Sequence, residues 1–127
     1  MPKKVDDSVL DAALNEIKNN CDKMTVCSGE PATYAAANNG GGNFLADVAM
    51  ASGDFTIANG DTSGRKVSVA SKAGVNVDNT GTGDHVALLD TVTSTLLYVT
   101  TCTSLGLTAG SSLTFNGWDI EIADPAA

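Results

Sequence analysis

One change of rhythm constrains this chain more than any other feature. Up to Asn20 the apolar residues recur at helical spacing; beyond it they recur at every second residue, in short bursts. Val9, Leu10, Ala13, Leu14 and Ile17 fall at three- and four-residue steps and make one apolar stripe on an amphipathic helix over residues 5–20. Asp6 or Asp7 caps its start, where negative charge suits the positive end of the helix dipole. Asn19-Asn20 fits a left-handed end. The stripe requires a surface to cover, either the domain's own sheet or a neighbouring subunit.

The alternating bursts read as strands. Met24-Thr25-Val26-Cys27 stops at the turn signal Ser28-Gly29-Glu30-Pro31, and Asp54-Phe55-Thr56-Ile57 runs to the turn Asn59-Gly60-Asp61. Residues 44–51 are apolar and Ala-rich, and read as a strand rather than a short helix. Residues 65–72 form a strand with Val67 and Val69 on one face, and 74–77 extend it past a turn or bulge. Strands over 84–90 and 96–103 are joined by a polar connection at 91–95, and 105–110 reads as an edge or turn. Short strands at 112–115 and 118–122 close the chain, with Trp118, Ile120 and Ile122 alternating against Asp119 and Glu121. Asn38-Asn39-Gly40-Gly41-Gly42-Asn43 reads as a projecting loop of high conformational entropy.

The fold class that follows is mainly β: an antiparallel sandwich or barrel of about seven or eight short strands with one N-terminal helix. There is no βαβ alternation to suggest a parallel nucleotide-binding sheet. At 127 residues the chain reads as a single domain, with an N-terminal arm and helix at 1–20 and a β body at 21–125. Only 5% of residues are aromatic, so the core must come from aliphatic and small side chains. Ala126-Ala127 reads as a loose tail.

Fifteen acidic and seven basic residues give a net charge of −8, which repels a phosphate backbone and argues against direct nucleic-acid binding. Lys3 and Lys4 are too few for a basic arm. No apolar run is long enough for a membrane span, and the N-terminal residues carry no secretory pattern, so the expectation is a soluble cytosolic chain. Three cysteines are not a secreted disulfide framework; Cys21, Cys27 and Cys102 read as buried free thiols, with a Cys21–Cys27 bridge or a thiolate metal site as alternatives.

No constellation carries catalysis. His85 is the only histidine, and no serine or cysteine motif marks a nucleophile for it to activate. Gly60-Asp61-Thr62-Ser63-Gly64-Arg65-Lys66 has three residues between its glycines where a phosphate-binding loop has four, so it reads as a turn. Asp54, Asn59, Asp61, Asp78 and Asn79 lack the spacing of a calcium loop. Leu113, Phe115 and Trp118 read as core, with an exposed binding patch as the alternative. No enzyme activity, cofactor or metal is expected.

Four stretches together carry a resemblance. They are Asp6-Asp7-Ser8-Val9-Leu10-Asp11-Ala12-Ala13-Leu14, Met24-Thr25-Val26-Cys27-Ser28-Gly29-Glu30-Pro31, Asp61-Thr62-Ser63-Gly64-Arg65-Lys66-Val67 and Trp118-Asp119-Ile120-Glu121-Ile122-Ala123-Asp124-Pro125. In these the chain resembles small structural proteins of tailed bacteriophages and prophages, over nearly its whole length apart from residues 38–43. The resemblance transfers no active site. It implies a virion component made in the host cytoplasm, first of all a capsid decoration (cement) protein on the capsid surface. Its implied partners are the major capsid protein and further copies of itself, as a homo-oligomer such as a trimer. Multivalent contacts compound modest interfaces in such a setting. Val9, Leu10, Ala13, Leu14 and Ile17 are the candidate assembly residues. A tail-tube or head–tail connector subunit is the nearest alternative, and a receptor- or glycan-binding module using Trp118 or the Gly-rich loop is the next.

Overall fold

Asp6 places the start of the helix: its carboxylate accepts the Ser8 N–H at 3.0 Å and also the Ser8 hydroxyl, and α1 runs over Asp7–Asn20. The structure is a computed structural model in which residues 5–124 are described; Lys3, Lys4 and Ala126-Ala127 lie outside the described residues. The end of α1 differs from the left-handed one that Asn19-Asn20 suggested. Cys21 caps it in an extended conformation, φ −72°, because the chain passes directly into the first strand.

The remaining elements, in chain order, are β1 (Lys23–Cys27), α2 (Tyr34–Ala37), β2 (Phe44–Ala49), a 3-10 turn (Ser52–Asp54), β3 (Phe55–Asn59), β4 (Arg65–Val69), β5 (Lys72–Asn76), β6 (Gly81–Asp90), β7 (Thr95–Leu107), β8 (Ser112–Phe115) and β9 (Trp118–Ile122). All strand pairs are antiparallel, in a four-stranded sheet β2-β1-β6-β7, a three-stranded sheet β3-β4-β9 and a two-stranded sheet β5-β8. The mainly β sandwich with one N-terminal helix is therefore present. The strand count exceeds seven or eight because residues 65–77 form two strands in different sheets, β4 and β5, parted at Ala70-Ser71. Of the segment 105–110, read as an edge or turn, residues 105–107 are the end of the edge strand β7, held in register by Gly81, Thr82 and Gly83 of β6, and 109–110 form the turn after it.

Alternation along β1 and β6 turns Met24, Val26, Val86 and Leu88 to one face, which packs on Phe55, Val67, Val69 and Ile120 of the three-stranded sheet and on Val75, Leu113 and Phe115 of the small one. Each such fully buried aliphatic or aromatic side chain contributes roughly 1.5–3 kcal/mol. Leu14 and Ile17 join the same core from α1. The opposite face of the four-stranded sheet buries Cys27, Ala87 and Leu89 beneath Ala37 of α2, with Tyr34, Leu96 and Val99 at the margin. Thr33 starts this short helix, its hydroxyl oxygen accepting the Ala36 N–H at 3.1 Å.

The Gly-rich segment 38–43 does not project. Gly41 N–H bonds to Asn38 O at 2.8 Å, Asn43 N–H to Ala36 O at 3.1 Å, and the Asn43 amide to Ser28 O at 2.8 Å. A Cβ on Gly41 would collide with the carbonyls of Ala35 and Ala36, so glycine is what lets the loop fold onto α2. The segment 60–66 contains the β3–β4 turn, closed by Gly60 N–H on Gly64 O at 2.9 Å, with Gly64 at φ +70°.

Candidate functional site

The helix stripe divides in two. Leu10, Leu14 and Ile17 are buried by the chain's own body, while Val9, at 59% exposure, and Ala13 face outward. Polar clamps hold α1 in this orientation. Arg65 of β4 donates to Asp11 through Nε at 2.8 Å and Nη2 at 3.4 Å, and Lys18 donates to the carbonyls of Ser52 and Phe55 at 2.9 and 2.7 Å. The surface that the stripe covers is thus the domain's own sheet, and of its five residues only Val9 and Ala13 stay available for assembly contacts.

The open surface lies at the other end of the chain. β7 is the last strand of the four-stranded sheet, and among the described residues its backbone-to-backbone bonds go to β6 alone. Residues 101–106 are all exposed, with Leu105 at 57%. β7 is bulged twice against β6. Leu97 is the extra residue between the pairs Leu89–Leu96 and Leu88–Tyr98. The second bulge is formed by Cys102, Thr103 and Ser104, which lie opposite Asp84. Tyr98–Thr101 is the regular stretch between the two.

The other end of the same sheet is closed over Phe44–Ala46, the first half of β2. Val77 bridges Ala46 of β2, Leu45 O accepts the N–H groups of Asp78 and Asn79 at 2.9 and 3.0 Å, and Phe44 O accepts the Asn79 amide at 3.0 Å.

Beside β7 a cleft of about 580 Å³ runs between the layers. Val26, Val86, Leu107, Leu113 and Phe115 contribute apolar lining, and Thr100, Thr114 and Asn116 contribute polar groups. Trp118 lines it too, its ring stacked on Tyr98 with centroids 6.0 Å apart, and its indole N–H is buried without an acceptor among the described residues. Leu113 and Phe115 are core, as their alternation suggested, whereas Trp118 is half-buried at the wall. From Thr91 to Trp118 the chain carries no Asp, Glu, Lys or Arg. That uncharged run was the signal in the sequence for this surface, and strand alternation alone does not reveal it.

The other candidates stay apart. Cys21 and Cys27 are buried free thiols and Cys102 is an exposed one, contrary to its expected burial, because it sits in the bulge of the open strand. Burial pushes the Cys21 thiol up to about 11 and raises that of Cys27, and partial desolvation followed by the Asp84 charge raises that of Cys102, which disfavours the nucleophilic thiolate. His85 bonds through Nδ1 to Asp84 at 2.8 Å, and Asp84 also accepts the Gly29 N–H at 2.8 Å. The His85 hydrogen bond, followed by that of Gly29, holds the Asp84 carboxyl below its ordinary range. Asp54 pairs with Lys72, Asp61 with Lys66 and Asn59 with Arg65, so the suggested calcium residues are spread over separate contacts. Among the described residues no group of three His, Cys, Asp or Glu side chains is placed to hold a metal ion, and no helix is long and apolar enough to cross a membrane.

The chain matches no family model, no curated protein and no solved structure.

Proposed function

We propose that this chain is a structural protein of a tailed-bacteriophage virion, a capsid decoration protein that binds and stabilises the shell of the major capsid protein. The observation that carries the reading is the open β7 edge. Among the described residues it is a long uncharged strand left unpaired on one side and exposed over 101–106, on a sheet whose other end is closed over Phe44–Ala46. Such an edge suits association, since unpaired strand groups accept another chain. The resemblance of the four sequence stretches supplies the setting. Image reconstruction of a virion that carries the chain tests it. Many copies on the outer face of the capsid are expected; a ring at the tail or neck would make it a tube or connector subunit instead.

The half-buried ring of Trp118 at the cleft wall favours a second reading, a surface module that stacks a glycan against it. Glycan-array binding lost in Trp118→Ala is the result that reading requires.

A further inference from the structure

We infer that the occupant of the β7 edge is β7 of a second copy, paired antiparallel so that two four-stranded sheets become one continuous sheet. The inference rests on the association reading above and names its partner. Charge selects the second copy. Two chains of net charge −8 repel, and a stable contact between them must avoid setting carboxylate against carboxylate. Antiparallel pairing sets β7 residues only against β7 residues, and none of these is charged.

The competing edges are less suited. β9 presents Asp119 and Glu121, both exposed, and would oppose acid to acid. β3 is uncharged but short, and its first carbonyl, that of Phe55, is already bound by Lys18. β2 is closed over Phe44–Ala46 by residues 77–79, and what is left of it is short and carries Asp47. Of the two-stranded sheet, β5 carries Lys72 and β8 has four residues, so β7, with 13 residues, is the longest uncharged edge; it has no proline to guard it, and its regular stretch Tyr98–Thr101 is where a ladder can start.

Sedimentation equilibrium of the full chain, from about 1 µM to about 100 µM, tests the pairing. A dimer is expected. Thr101→Glu/Thr103→Glu, which places four carboxylates along the two joined strands, weakens it by about 10-fold or more. The charge-matched control Val9→Glu/Ala13→Glu on α1 leaves it unchanged. Mixing Thr101→Glu with Thr101→Lys restores a heterodimer tighter than either variant alone, and circular dichroism confirms that each variant is folded. A wild-type chain that stays monomeric throughout overturns the pairing, as does a dimer broken by the α1 control and not by the β7 variant. A monomer that nevertheless decorates capsids leaves the functional reading standing and removes this one.

Discussion

The two ends of the four-stranded sheet use their backbone groups in opposite ways. At β2, the carbonyls of Phe44 and Leu45 are taken by residues of the β5–β6 connection, and Val77 bridges Ala46. At β7, the backbone ladder among the described residues runs to β6 only, over a strand with no charge and two bulges. The same sheet thus has one edge consumed in folding and one left for association. The helix stripe belongs with the first kind: Leu10, Leu14 and Ile17 are consumed by the chain's own core.

Proline separates the edges most strongly. Ala46→Pro falls on a fully buried residue between β1 and the Val77 bridge, and should cost about 3 kcal/mol or more in urea denaturation. Thr103→Pro falls in the β7 bulge, where no β6 residue is its register partner, and should cost about 1 kcal/mol or less. Equal losses at the two positions would contradict the distinction.

Opening the closed edge gently gives the next effect. Asn79→Ala removes the amide bond to Phe44 O and should cost about 1 kcal/mol. Hydrogen exchange should then speed up in β2 and stay constant in β7.

Asp84, which lies opposite the second bulge of β7, gives a pH test. Its folded pKa is depressed by the His85 and Gly29 hydrogen bonds, so its contribution is present above the ordinary aspartate value of about 3.9 and is lost as pH falls through the lower folded value. Asp84→Asn should therefore be less stable than wild type near neutral pH, with the gap closing in acid. A gap that widens as pH falls would count against this.

The smallest effect is at the entry to β7. Ser94 has φ 57°, which costs a non-glycine residue roughly 1–2 kcal/mol, while the added freedom of glycine in the unfolded chain offsets roughly 0.5–1. Ser94→Gly should stabilise by about 0.5 kcal/mol, read as a rise in the thermal midpoint.

Strands with strict alternation, such as β4 and β9, were legible because one face of each is more buried than the other. The length of the β6–β7 ribbon was not. Gly81-Thr82-Gly83 and Leu105-Gly106-Leu107 carry turn composition, yet they pair with one another. The reason is packing from elsewhere: a Cβ on Gly81 would stand 2.9 Å from Leu45 Cδ2, and one on Gly83 would stand 2.8 Å from Val26 Cγ2. These glycines make room for neighbours distant in the chain, which local pattern does not register. The uncharged run from Thr91 to Trp118 marked a surface, but that all of β7 ends the sheet was not legible, since which strand is last depends on pairing between distant segments.

Hydrogen exchange of the isolated chain at low and high protein concentration tests the central claim most directly. Amide protection in residues 98–101 of β7 is expected to rise with concentration while protection in β2 stays constant. Protection in β7 that does not depend on concentration, or a rise confined to α1, would contradict it.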